Sequence, residues 1–277
     1  MINLNGELVS PNLFHLNISN RGLNFGDALF ETIRIKSGKP LFFESHYFRL
    51  MANMRICRME IPQSFTPEFL MSEMTALIES HEKDCSNSRL KFLVYRDSSG
   101  LYTPDSNDIG YIISAQPIDS NSFKFESSFY KIDLFKDYFI PPGLLSTVKT
   151  NNRMVNILGG IYARENEFDN CLLLNTNKNI VEALNGNIFL VFDDTLKTPP
   201  SADGCINGIM RNQIIALAPK LGYKVEEVSI SPFEIQRADE IFITNIILGV
   251  RPVTQYRKKI YQHIVSKVLV NGLNDII

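Results

Sequence analysis

The sequence predicts an α+β protein built as two domains, and three observations carry that reading. Runs of alternating apolar and β-branched residues, such as FETIRIK and RLKFLVYRD early and CLLLN, NIFLVF and EIFITN late, read as strands in both halves. Between them, ESHYFRLMANMRICRM, TPEFLMSEMTALIESHE and the stretch from Met154 repeat apolar residues at helical spacing. At 277 residues the chain exceeds one ordinary core. The polar stretch IDSNSFKFESS supplies a boundary, dividing residues 1–120 from 121–277.

Taken in order, MINLNGELV reads as two strands joined at Asn5-Gly6, a favoured type I′ pair. Gly22 and Gly26 in NRGLNFGDALF indicate a tight loop, and Ser37-Gly38 turns a second hairpin. Thr66 is placed to cap the helix that follows it, with Pro67 at its first position. The turn-rich DSSGLYTPDSND separates the strands RLKFLVYRD and IGYIISAQPI. Beyond the boundary come the strand SFYKIDLF, a loop at Pro141 to Gly143 and a helix just after Lys149. A β meander of CLLLN, NIVEAL, NIFLVF and TLKTP then follows, with turns at Asn177-Lys178, Asn185-Gly186 and Asp193-Asp194. The helix from Ile209 should kink or stop at Pro219, before Gly222. Ser231 and Glu234 form a capping-box pattern, ADEIFITNI is a buried strand, and the last twenty residues form a helix.

Lys and Arg total 28 against 30 Asp and Glu, so the balance gives no reason to expect a nucleic-acid partner. No apolar stretch approaches the ~20 residues of a membrane span. The start MINLNGELVS lacks the order of a signal peptide, so cytoplasm is the expected compartment. Cys57, Cys85, Cys171 and Cys205 are scattered, which argues against disulfides and against a zinc site. Neither a P-loop nor a G-x-G-x-x-G fingerprint is present, which disfavours nucleotide cradling.

Several residues could carry chemistry. Lys149 follows the apolar Leu144, Leu145 and Val148 at the mouth of a helical pattern; an ordinary surface lysine is the alternative. Glu182 is the one charge in the apolar run NIVEALNGNIF, either functional or an edge-strand charge facing water. Gly208, Ile209 and Met210 open a helix, where amides and the dipole favour an anion. Phe30 and Thr32 share one strand face.

The ordered set NRGLNFGDALFETIR, KTNNR, the Glu182 run and NGIMR resembles the class IV (fold type IV) aminotransferase-type pyridoxal-phosphate enzymes over roughly residues 2 to 255. KTNNR and NGIMR are most similar to aminodeoxychorismate lyases. The resemblance implies a small N-terminal α/β domain and a larger, β-barrel-like C-terminal domain carrying the lysine. It implies that Lys149 bonds the aldehyde of pyridoxal 5′-phosphate and that Glu182 meets its pyridine nitrogen. Arg49 is implied for the phosphate, with helix-surface arginine as the alternative, alongside Asn245 and Ile246 in the loop after a buried strand. Arg153 follows Asn152 as in lyase segments and, if the helix starts early, returns to the face of Lys149. Arg96 and Tyr102 flank a reduced form of the family's R-G-x-G-G-R-G-Y segment, with Tyr102 as a loop anchor the rival reading.

The resemblance further implies a homodimer acting on a small molecule, with lyase activity on 4-amino-4-deoxychorismate ahead of transfer of an amino group from a branched-chain or D-amino acid. A relative that only binds a ligand or dimerises is the third reading, and retention of Lys149 and Glu182 counts against it.

Overall fold

A computed structural model describes residues 1–81 and 84–277 of the protein. The architecture is α+β, and the chain divides into two compact units: Met1–Ser122 with Val148–Asn152, and Phe123–Thr147 with Arg153–Ile277. Lys149 therefore belongs by contact to the first unit, although the residues on either side of its segment belong to the second.

The first unit is built on a six-stranded sheet. Strands β1 (Ile2–Leu4) and β2 (Glu7–Val9) form the expected hairpin, with Asn5 and Gly6 both at positive φ. A short helix α1 (Arg21–Asn24) occupies the stretch read as a tight loop, because the Asn20 side chain accepts the Leu23 amide and caps it. Strands β3 (Ala28–Lys36) and β4 (Lys39–Pro40) follow, then helices α2 (Phe43–Ile56) and α3 (Pro67–Glu79). Thr66 caps α3 by accepting the Phe69 amide. The sequence pattern of α3 runs as far as Glu82, which lies outside the described residues. Strands β5 (Ser88–Arg96) and β6 (Ile109–Pro117) complete the order β2-β1-β6-β5-β3-β4. Leu29, Ile33 and Ile35 of β3 are buried with Leu50 and Met54 of α2 and Met74 and Leu77 of α3. That alternation sends Phe30, Thr32 and Arg34 to the opposite face.

The second unit holds two five-stranded sheets. Strands β7 (Lys131–Ile140), β8 (Asn170–Asn175) and β9 (Ile180–Ala183) lie in one, with β15 (Gln255–Tyr256) and β16 (Lys259–Ile260) at its edge. Strands β10 (Asn187–Phe192), β11 (Thr195–Thr198), β12 (Lys224–Glu227), β13 (Glu240–Asn245) and β14 (Gly249–Pro252) form the other. The continuous meander expected from CLLLN to TLKTP is thus corrected: β8–β9 and β10–β11 pair as hairpins, but β9 and β10 belong to different sheets. The chain changes sheets at Asn185-Gly186, where β10 takes β13 as its second neighbour.

Helix α4 (Met154–Glu165) packs on β7 and β8, and α5 (Ile209–Leu217) packs on α6 (Ile264–Asp275). The α5 helix tightens to a 3₁₀ turn over Ala218–Leu221 at Pro219, and Gly222 ends it at φ +88°. The capping box of Ser231 and Glu234 is formed. Buried Glu240 of β13 accepts the Val265 and Ser266 amides at 2.7 and 3.0 Å, countering the N-terminal dipole of α6. Among the described residues no helix is long and apolar enough to cross a membrane.

Close approach at the sheet switch has a measurable consequence. A Cβ on Gly186 would lie 2.5 Å from the Thr244 carbonyl oxygen and 2.7 Å from Ile243 Cγ2. Gly186→Ala is expected to destabilise the protein by about 1–3 kcal/mol through overpacking. Urea unfolding reads this directly, and an unchanged midpoint would show that the backbone there accommodates a side chain.

Candidate active site

In the first unit the lysine is positioned by backbone pairing. Phe30 donates its amide to the Lys149 carbonyl at 3.0 Å, and Asn151 donates to the Ala28 carbonyl at 2.9 Å. Residues Leu29 and Thr150 form an antiparallel bridge, so the segment continues the edge of β3. Asn152 Nδ2 donates to the Gly26 carbonyl at 3.3 Å. Lys149 Nζ stands 4.2 Å from the centroid of the Phe30 ring. The apolar segment ahead of it is a 3₁₀ turn over Leu144–Thr147.

The opposite face of β3 carries Glu31, which sequence reading passed over. It is buried, accepts Arg49 Nε at 2.8 Å and a second bond from Arg49 Nη2, and takes His46 Nδ1 at 2.8 Å. Burial works to raise the Glu31 carboxyl, but the Arg49 charge and the His46 and Arg49 hydrogen bonds outweigh it and hold it at about 2. Burial pushes His46 below the ordinary histidine range, with the Glu31 hydrogen bond pulling the other way. An ionised Glu31 makes Nδ1 the protonated nitrogen of neutral His46. Arg49 is thereby a largely covered, oriented guanidinium rather than a helix-surface side chain. The available signal was a glutamate within an apolar strand, followed by His46 and Arg49 three residues apart on one helix.

Three residues expected near the substrate have defined surroundings. Arg96 donates through Nε to Asp27, through Nη1 to Asn107 and the Arg58 carbonyl, and through Nη2 to the Cys57 carbonyl. Its donors tie the loop ends together. Tyr102 is 90% exposed, with its ring 5.7 Å from that of Phe25. Its loop is anchored by Arg21, which donates to the Leu101 and Gly100 carbonyls. Arg153 is the N-cap of α4, which begins only at Met154; Lys149 to Asn152 are not helical, so helical spacing does not bring Arg153 to the lysine's face. Thr32 remains half-buried on the face of Phe30.

In the second unit, Glu182 is buried in β9 and does not face water as an edge-strand charge. One of its oxygens accepts the Ile206 amide at 3.0 Å, while Asn187 Nδ2 donates to the Ile206 carbonyl at 2.8 Å. These two bonds fix the backbone leading into α5. Gly208 is the N-cap of that helix and contributes no capping side chain, ahead of buried Ile209 and Met210. A Cβ on Gly208 would fall 1.9 Å from Asn187 Oδ1, so the close approach requires glycine. Asn245 closes its own turn: its Oδ1 accepts the Ile247 and Leu248 amides, and its Nδ2 donates to the Asn185 carbonyl. That side chain is committed to the turn, leaving the loop backbone around buried Ile246 as the candidate there.

The first unit carries an amine and a guanidinium held by a buried carboxylate, and the second carries a buried carboxylate and a helix start with backbone donors. The family model described as Amino-transferase class IV matches residues 28–256. The chain belongs to the class IV aminotransferase family. Within the family, it is 25% identical over 265 residues to a D-alanine aminotransferase of Listeria monocytogenes, covering 91% of this chain and 86% of the relative. An aminodeoxychorismate lyase of Vibrio harveyi is 24% identical over 242 residues, covering 87% of each chain. The branched-chain aminotransferase of Thermobaculum terrenum in its PLP-form shares the fold, with a TM-score of 0.85 at 20% identity over 99% of this chain and 92% of that one.

The Glu31 knot makes a pH-dependent contribution with a defined sign. Its folded value lies below the ordinary 4.5, so its stabilisation is complete above that pH and is lost as pH falls towards 2. Glu31→Gln, which removes the buried carboxylate that Arg49 and His46 share, is expected to cost about 3 kcal/mol at pH 7. In denaturant titrations the gap from wild type should close between pH 4.5 and 2. A gap that does not vary with pH would remove the carboxylate charge from this role.

Proposed function

We propose that this class IV protein is a pyridoxal 5′-phosphate enzyme that converts 4-amino-4-deoxychorismate to p-aminobenzoate and pyruvate, serving folate synthesis. The observation that carries the cofactor assignment is Lys149 pinned by its own backbone to β3, within a family match that covers residues 28–256. The residue types present fit the group. Lys149 would hold the aldehyde, Glu182 the pyridine nitrogen, and Arg49 with the amides of Ile209, Met210 and Ile246 the phosphate. When bound, the cofactor supplies an aldehyde that takes the substrate amine and a ring that accepts an electron pair.

Each residue has a definite task. Lys149, once freed by the substrate amine, would remove the proton from the aminated ring carbon. The electron pair so released expels the enolpyruvyl oxygen from the neighbouring carbon, and Lys149 returns its proton to the departing enol carbon, which becomes pyruvate. Glu182, buried and oriented by Ile206, would keep a proton on the pyridine nitrogen and so favour loss of the carbon-bound proton. The KTNNR and NGIMR segments and the lyase relative from Vibrio harveyi support lyase chemistry. Amino transfer is the second reading, favoured by the D-alanine aminotransferase match. We further propose a cytoplasmic homodimer, with sedimentation as its check.

Pyruvate release from aminodeoxychorismate, set beside half-transamination of a panel of L- and D-amino acids, separates the two activities. The lyase reading expects pyruvate from wild type and none from Lys149→Ala. No pyruvate from wild type, with clear half-transamination, transfers the assignment to the aminotransferase. Glu182→Gln is expected to retain the cofactor and to slow turnover by at least about 100-fold. Turnover within about threefold of wild type would remove Glu182 from the chemistry, since such a change is under 1 kcal/mol of barrier.

A further inference from the structure

Between β9 and β10 runs a short connection, Leu184 to Gly186, in which the chain leaves one sheet of the second unit for the other. Three of the proposed cofactor contacts hang from it. Glu182 precedes it in β9. Asn187 follows it and holds the Ile206 carbonyl at 2.8 Å, ahead of α5. Within it, the Asn185 carbonyl accepts Asn245 Nδ2 at 3.2 Å and so carries the turn that contains Ile246. Where this connection stands, the carboxylate, the helix start and the turn stand with it.

The connection is held from two sides. Ala183 donates its amide to the Gly186 carbonyl at 2.8 Å, and Asn156 of α4 donates to the Leu184 carbonyl at 2.9 Å. From β8 comes Asn170, whose side chain is buried at 1% exposure. Its Oδ1 accepts the Leu184 amide at 3.1 Å and the Cys171 amide at 2.8 Å. Its Nδ2 donates to Asn185 Oδ1 and to the Tyr130 hydroxyl, each at 2.9 Å. Both donors and both acceptor positions of this one amide are engaged, and they reach two successive residues of the connection. A buried amide satisfied in this way fixes its neighbours in one arrangement, because any other leaves polar groups unpaired.

We propose that Asn170 is a positioning residue for the cofactor phosphate. By holding Leu184 and Asn185 against β8, it sets the Asn245–Ile246 turn relative to Glu182, so that one ligand meets both. This rests on the pyridoxal 5′-phosphate reading of Glu182 and Ile246. Asn170 itself touches neither substrate nor cofactor; it acts through Asn185.

Purified protein freed of cofactor is titrated with pyridoxal 5′-phosphate and with pyridoxal, which lacks the phosphate. The ratio of the two Kd values measures what the phosphate contributes. Asn170→Ala is expected to lower that ratio about tenfold, the equivalent of one hydrogen bond, with pyridoxal affinity within about threefold of wild type. Asn185→Ala truncates an exposed side chain and leaves its carbonyl in place, so it decides the matter even where Asn170→Ala does not fold. It is expected to lower the ratio about fivefold or more, and Tyr130→Phe, which spares the Asn185 contact, to change it less than about twofold. The phosphorus NMR signal of the reconstituted holoenzyme should move in Asn170→Ala and Asn185→Ala and stay in place in Tyr130→Phe. Equal weakening of both ligands marks general loosening and overturns the proposal, as does an unchanged ratio. A loss in Asn170→Ala without one in Asn185→Ala overturns it too, because Asn185 is then not the link. Wild type that binds neither ligand removes the cofactor reading, and this inference falls with it; a strong wild-type preference for the phosphate that the variants leave intact sinks the inference alone.

Discussion

Two backbone hydrogen bonds, Phe30 to Lys149 and Asn151 to Ala28, hold a short distant segment against the edge of β3. They involve no side chain, so they set where the lysine stands whatever residues flank it. Everything else on that face follows from the pleat of β3. With Lys149 paired at this register, Phe30 comes under its amine, and Thr32 and Lys91 come beside Phe30. A slip of one residue in the pairing would turn the opposite set of side chains to this face.

The reverse face of the same strand shows how a charge is kept inside a small core. Glu31 alone would be costly among Leu29, Ile33 and Leu50, yet the bidentate approach of Arg49 and the His46 ring offset its desolvation. The arrangement costs the protein an apolar packing site and yields a guanidinium held in one orientation. A lysine at position 49 could not reproduce that fork. Orientation of Arg49 is thus a property of three residues from two elements, not of the arginine alone.

In the second unit, the same logic operates through the backbone. Glu182 and Asn187 lie on either side of the sheet switch and grip the amide and carbonyl of one residue, Ile206. That grip carries the chain into the start of α5 and brings Asn187 so near Gly208 that no Cβ fits. A carboxylate in one sheet, an amide in the other and a helix start are thereby placed in a single hydrogen-bonded assembly.

The sequence by itself determined what depends on a few neighbouring residues. The Asn5-Gly6 and Ser37-Gly38 turns, the Thr66 cap, the Ser231–Glu234 box and the stop at Pro219 all formed, because each is decided by sterics and hydrogen bonds within one turn of chain. The α+β class was legible for the same reason. Partnership between distant residues was decided only by tertiary structure. Periodicity marks β9 and β10 as strands but does not say that they enter different sheets. Arg96 reads as a free cation until Asp27, Asn107 and two carbonyls take its donors. Lys149 and Arg153 appear one helical turn apart, whereas pairing with β3 keeps the intervening residues out of the helix. Lys91 looks like any strand lysine until cross-strand register sets it beside Phe30. Hydrogen-bond donors and charges carry no label for their partner along the chain; only the register of strands and the packing of helices supplies one.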